Sequence, residues 1–253
     1  MKTVFGHICL FIQIIFFSAG ISADDRVVSM ASLEWPPYIG RELPDQGALA
    51  IVARAAFAKA GYELRIDFYP WARTLHMART EKKYAGYFPE YFSEEIAKEF
   101  VFSDPVGTSP LGFAERKDAP VSWQTLDDLC SVKIIGTVRA YVNTEAFDLK
   151  AARGEIRVEE VTDDATNLRK IAGGRIPLAV IDRYVMQYLL KTELQDKQGL
   201  LQFNARLLED KKLFLCFRSD AEGERMRDIF NSGLRQIQAE LIASEYFEKI
   251  FLH

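Results

Sequence analysis

The chain has 253 residues, 49% of them hydrophobic and 12% aromatic. That composition fits a packed globule and excludes a disordered or fibrous chain. Its formal net charge of −4 argues against nucleic acid as a partner.

At the N-terminus Lys2 precedes an apolar run, Ile8 to Phe17, too short to span a bilayer as a helix, and small residues close it at "SAGISADD". This pattern predicts a cleaved signal peptide over residues 1–23, cut after Ala23, with Gly20 as the alternative, and export to the periplasm. Cys9 lies inside the apolar run, so a lipid-modified cysteine start is not expected. Removing residues 1–23 leaves 31 basic against 36 acidic residues, a net charge of −5. The remainder suits one large domain or two lobes of about 100 residues each. Two cysteines survive, Cys130 and Cys216, both in apolar surroundings that suit buried thiols; the spacing does not decide whether they pair. Of the three histidines only His76 stays internal, on a helical stretch, so no metal site and no cofactor are expected.

Val27 to Ser32 reads as a strand. The stretch "LEWPPYIG" after it predicts a stiff loop, because Pro cannot donate to a ladder and biases its predecessor toward extended backbone. Gly47 to Ala60 reads as a helix ended by Gly61, Leu64, Ile66 and Phe68 alternate as a half-buried strand, and Pro70 opens a second helix. A short strand at Tyr84 to Tyr87 and a helix-prone stretch from Ser93 to Phe100 follow. A second series begins after residue 120. It comprises a short helix over Trp123 to Leu129, strands at Val132 to Val138, Ile156 to Val161 and Leu178 to Asp182, and helices at Asn143 to Lys150, Asp164 to Ala172 and Arg183 to Leu190. Such alternation implies parallel sheets covered on both faces, one in each of two units. Leu213 to Phe217 reads as a strand, and Glu222 to Phe251 as two amphipathic helices separated near Leu241. The absence of a Pro/Gly/Ser linker predicts crossings near 110–117 and 213–220, which together make a hinge.

The order of "EWPPY" at 34–38, "YPWARTL" at 69–75, "FPEYFSEEIAKEFVFSDP" at 88–105, "TLDDL" at 125–129, "IIGTVRAY" at 134–141, "GGRIPLAVID" at 173–182 and a C-terminal "EYFEKIF" resembles the bacterial extracellular solute-binding proteins of family 3, the amino-acid-binding type. The resemblance covers almost all of the mature chain. It implies an α/β fold of the type II periplasmic binding protein kind: two lobes joined by two hinge strands, with a small-molecule ligand bound between them. The expected layout is lobe 1 over 24–111 and 216–253, and lobe 2 over 112–215. The expected function is capture of a small polar or amine-bearing molecule and its delivery to an inner-membrane permease, by a monomer. Two alternatives stay open: a periplasmic enzyme on the same fold, similar to cyclohexadienyl dehydratases, and a ligand-binding sensor that reports to a receptor.

The resemblance places Trp35 and Trp71 on opposite sides of the ligand, where two indoles sandwich a flat or cationic group. Amino-acid binders of this type commonly carry an Arg clamp for the ligand carboxylate a few residues before the "FSDP"-like strand. Here that position is Ile96, so the clamp is missing; Arg73 and Arg139 are candidate replacements. Glu90 and Tyr91 are candidates for the cleft lining. The segment "GTVRAYVN" is expected to present Tyr141, Asn143 and nearby backbone N–H groups to the ligand. Asp182, at the end of a buried strand, is expected to meet a ligand amine, with helix capping as the rival role.

Overall fold

The computed structural model describes residues 26–252; the expected signal peptide lies outside them. In chain order the elements are β1 (Val27–Ser32), α1 (Ala48–Lys59), β2 (Glu63–Phe68), α2 (Trp71–Thr80), β3 (Tyr84–Tyr91), α3 (Glu94–Ala97), β4 (Phe100–Phe102), β5 (Gly107–Arg116), β6 (Ile135–Val138), α4 (Glu145–Ala152), β7 (Val158–Val161), α5 (Asp164–Ala172), β8 (Leu178–Asp182), α6 (Arg183–Thr192), β9 (Leu201–Phe203), β10 (Glu209–Arg218), α7 (Ala221–Leu234) and α8 (Ala239–Leu252).

The strands run in the order β2-β1-β3-β10-β5-β8-β6-β7, with β4 beside β10 and β9 beside β5. This corrects the expectation of two separate sheets. β5 and β10 are long enough to belong to both halves. One end of β10, Leu213 to Phe217, pairs with β3, and its other end, Glu209 to Leu213, pairs with Gly107 to Leu111 of β5. The far end of β5, Leu111 to Glu115, then pairs with β8. The hydrogen-bonded path is therefore continuous, while the parallel strands β1, β2 and β3 form one lobe and β6, β7 and β8 the other.

Local chemistry explains where elements differ from their expected bounds. β3 continues through Pro89 to Tyr91 because the register with β10 shifts between Phe214 and Cys216, so the ladder does not need the N–H that Pro89 lacks. The expected helix at Trp123 to Leu129 reduces to a 3-10 turn over Asp128–Ser131. Asp128 Oδ2 accepts from the backbone N–H groups of Gln124 and Thr125, each at 2.8 Å, and so offers this backbone a turn in place of a helix. The break between the last two helices falls at residues 235–238, and Leu241 is exposed on α8. Cys130 is exposed in the 3-10 turn and Cys216 is buried in β10; both are free.

α7 packs on α1 in the first lobe, where a Cβ on Gly233 would stand 1.9 Å from the carbonyl oxygen of Ala56. α8 reaches both lobes. Tyr38 packs edge-on to Phe247, while Phe247 and Phe251 stack on Tyr184 of α6 with centroids 4.6 and 6.0 Å apart. Lys191 on α6 donates to the Ile250 carbonyl at 2.9 Å.

Gly86 of β3 lies against β10, and a Cβ there would meet the Cys216 carbonyl oxygen at 1.9 Å. Gly86→Ala is expected to cost about 1–3 kcal/mol through overpacking and to lower the thermal midpoint. Gly199→Ala, with nothing within 4 Å of the new methyl, should leave the midpoint unchanged in the same melting experiment.

Candidate functional site

The loop after β1 closes on itself. Trp35 N donates to the Ile39 carbonyl at 2.8 Å, and Ile39 N returns a bond to the Trp35 carbonyl at 3.2 Å. This turn stacks Trp35 on Tyr38, with centroids 4.5 Å apart and planes 15° from parallel, and sets Trp35 edge-on to Tyr91 at 6.1 Å. Trp71 is the first residue of α2 and packs edge-on to Tyr87. Its indole Nε1 donates across the gap between the lobes to the Ala140 carbonyl at 3.1 Å. Ala140 holds a left-handed φ of 64°, a strained conformation for a residue with a Cβ, in the turn that follows β6.

These pieces enclose a cavity of about 40 Å³ lined by Leu33, Trp35, Trp71, Pro89, Glu90, Tyr91, Tyr141, Val142 and Leu213. The wall is apolar and aromatic, and Glu90 is its one ionisable carboxylate. Glu90 is buried; its oxygens accept from Tyr87 Oη at 3.0 Å and from Tyr91 N at 2.9 Å. Burial pushes its pKa up to about 7 against the opposing pull of those two bonds and of the Lys211 charge.

Of the residues singled out in the sequence, Trp35, Trp71, Glu90, Tyr91 and Tyr141 line this cavity together. The other four are engaged elsewhere. Arg73 is exposed, its guanidinium 5.1 Å from the Tyr69 ring centroid. Arg139 is exposed and faces Glu160 at 3.6 Å. Asn143 uses its N and Nδ2 on the Asp148 carboxylate at 3.0 and 2.7 Å. Tyr141 N bonds the Val138 carbonyl, so these two backbone donors close their own turn instead of facing the cavity. Asp182 Oδ1 accepts from Tyr184 N at 2.7 Å and Val185 N at 2.9 Å, while Oδ2 accepts from Tyr38 Oη at 2.8 Å and Ser109 Oγ at 2.5 Å. It thus caps α6 and ties it to the first lobe. Burial raises its pKa to about 6, and those four bonds oppose the shift. With its hydrogen directed at Asp182, Ser109 accepts from Tyr91 Oη at 2.5 Å.

Two charged residues beside the cavity escaped sequence reasoning. Lys211 of β10 is buried, donates to the Asn143 carbonyl at 2.6 Å and lies 4.9 Å from the Tyr91 ring centroid; burial lowers its pKa. Its signal was available, because Lys211 falls on the inward phase of the same alternation as Leu213, Leu215 and Phe217. Asp164, the first residue of α5, is buried and takes no side-chain hydrogen bond from the described residues. Burial, then the charges of Asp182 and Asp163, raise its pKa to about 7. Burial raises the pKa values of Tyr91 and Tyr141, and the Asp164 charge adds to both shifts.

Sequence comparison finds no matching family model and no matching curated protein. Solved structures match over most of the chain. The VFT2 domain of Bordetella pertussis BvgS, as a double mutant, is 19% identical with a TM-score of 0.72, covering 90% of this chain and 94% of that one. The GluR0 ligand-binding core from Nostoc punctiforme, in complex with L-glutamate, is 17% identical with a TM-score of 0.67, covering 88% and 99%. An amino acid ABC transporter substrate-binding protein from Streptococcus pneumoniae, bound to L-arginine, is 16% identical with a TM-score of 0.70, covering 90% and 95%. The fold is that of the two-lobed periplasmic binding proteins. No helix among the described residues is long and apolar enough to cross a membrane.

Glu90, Asp164 and Asp182 all have folded pKa values above their ordinary ones, so the folded state binds more protons than the unfolded state between about pH 4 and 7. The stability they contribute is present at the low end of that window and is lost as pH rises through the folded values. The ligand-free protein should therefore melt at a higher temperature near pH 5.5 than near pH 8. Glu90→Gln and Asp164→Asn should each flatten the profile in a calorimetric pH series.

Proposed function

We propose that the chain is an exported solute-binding protein that captures a small polar or amine-bearing molecule between its lobes and delivers it to a membrane transporter. The observation that carries this reading is the cavity itself. Leu33, Trp35, Trp71, Glu90 and Tyr91 of one lobe face Tyr141 and Val142 of the other. The two lobes meet over two continuous strands, the arrangement in which hinge closure traps a ligand. The likeness to a transporter's substrate-binding protein supports the transport role. A second reading, a sensor module, is supported by the likeness to the BvgS domain and to a histidine kinase sensor domain.

We favour binding without catalysis. Acid–base chemistry across the cleft would pair Glu90 with Asp182, yet Asp182 is held by four donors and does not line the cavity.

Trp71 is the cleaner probe, because it is partly buried, whereas Trp35 is 8% exposed and part of the core. Trp71→Ala should weaken binding of the solute that copurifies with the protein, identified by native mass spectrometry, by about one to three decades. The ligand-free melting temperature should change little. Trp35→Ala should lower both affinity and melting temperature, with about 3–5 kcal/mol lost from the fold. Unchanged affinity in both variants would remove the cleft as the binding site.

A further inference from the structure

Resting on the cleft reading above, we propose that the ligand is an organic cation without a carboxylate, its ammonium head held against Glu90 among the faces of Trp35, Trp71 and Tyr141. The argument begins with what the walls offer. Trp35, Trp71, Tyr91 and Tyr141 contribute aromatic rings, Leu33, Pro89, Val142 and Leu213 contribute hydrocarbon, and the one charged group is an acid. Aromatic rings attract cations through their quadrupole, most strongly where water is excluded.

Among the described residues, a carboxylate would find no free cation to hold it there. The Trp71 indole N–H is directed at Ala140, the Tyr91 hydroxyl at Ser109 and the Tyr87 hydroxyl at Glu90. The Arg73 and Arg139 guanidinium groups lie on the outside, over Tyr69 and against Glu160. The Lys211 ammonium is engaged by the Asn143 carbonyl and the Tyr91 ring, and the charges of Glu209, Asp148 and Glu90 act on it. The site's electrostatic balance is negative as well. Glu90, Asp164 and Asp182 are buried around the aromatic walls and Lys211 is the buried cation beside them. A buried carboxylate with too few partners is costly, and a cation seated on it removes that cost. In the lobe spacing of this structure the cavity of about 40 Å³ has room for a few water molecules. A small ammonium head fits this spacing, and a longer chain requires the lobes to part.

The groups that face Glu90 are Tyr87 and the Tyr91 backbone from its own strand, and Lys211 and Cys216 from β10. Glu90 changes charge near neutrality, with a pKa of about 7, and cation binding should follow it. Going from pH 8 to pH 6 takes the carboxylate from mostly ionised to mostly protonated, so affinity should fall by about tenfold.

The test uses matched probes on the whole mature protein by titration calorimetry: choline against glycine betaine, and ethanolamine against glycine. The expected result is binding of at least one of the two cations at pH 8, and the carboxylate-bearing partner binding at least about tenfold more weakly. The cation should weaken about tenfold at pH 6, and Glu90→Gln should lose it by a similar factor or more. If Glu90→Gln does not fold, the pH series on the unaltered protein and Trp71→Ala provide the same reading. Equal or tighter binding of the carboxylate-bearing partner, a pH-independent cation affinity, or no heat from either cation at about 10 mM would each overturn the proposal. A neutral or anionic solute that binds and is lost in Trp71→Ala would leave the cleft reading standing without the cation. A solute that binds regardless of Trp71 would remove both.

Discussion

The carboxylate of Asp182 determines where the two lobes meet. It is a buried acid at the end of β8 that takes two backbone N–H groups of α6, the Tyr38 hydroxyl from the loop after β1 and the Ser109 hydroxyl from the crossover strand β5. A charge out of water is stable only when its lone pairs are met, so each of these three segments is held to the position that meets them. The effect extends further through Ser109 to Tyr91 and through the Tyr38 ring to Trp35. Two walls of the cavity are thus placed by an acid that does not itself line it.

The cavity inherits its character from that arrangement. Tyr91 and Trp35 are held by hydrogen bonds and stacking on the first lobe, Trp71 enters from the start of α2, and Tyr141 and Val142 arrive from the turn after β6. Trp71 Nε1 and Tyr91 Oη are directed at protein partners, the Ala140 carbonyl and the Ser109 hydroxyl. Glu90 then stands out because it is ionisable in an apolar wall, and its raised pKa expresses that mismatch. The apolar cavity wall and the raised pKa of its carboxyl group share one cause, burial.

Much of the fold was legible in the residues because most elements alternate at a clear period. The bounds of β1, α5 and β8 match the reading residue for residue, and β2 and α2 differ from it little. The crossover strands were harder to see. β5 contains Gly107, Pro110 and Gly112, and the first half of β10 is "EDKK", so neither shows the apolar run of a central strand. Their register comes from pairing with each other across the hinge, a long-range effect that local pattern does not carry. For the same reason Ser109 and Lys211, which sit on those strands, went unnoticed. In the cleft, residue type pointed to Trp35, Trp71, Glu90, Tyr91 and Tyr141, whereas the direction of a side chain decided Arg73 and Arg139. A residue two positions after Trp71 on a helix points to a different face. For Asp182 the capping role anticipated beside the ligand role is the one its geometry displays.

The claim on which the account stands is that the lobes close over a solute by bending at β5 and β10. Arg73 and Arg139 are exposed on opposite sides of the cleft, next to Trp71 and to its partner Ala140. They are therefore suitable sites for a pair of spin labels, with the exposed Cys130 replaced by Ser and the buried Cys216 retained. The measurement is the distance distribution between the two labels by pulsed electron resonance, first with the copurified solute bound and then after it is stripped. The account predicts a single short distance with solute and a longer, broader distribution without it. One unchanged distribution in both states, with binding verified in the same sample, would contradict it.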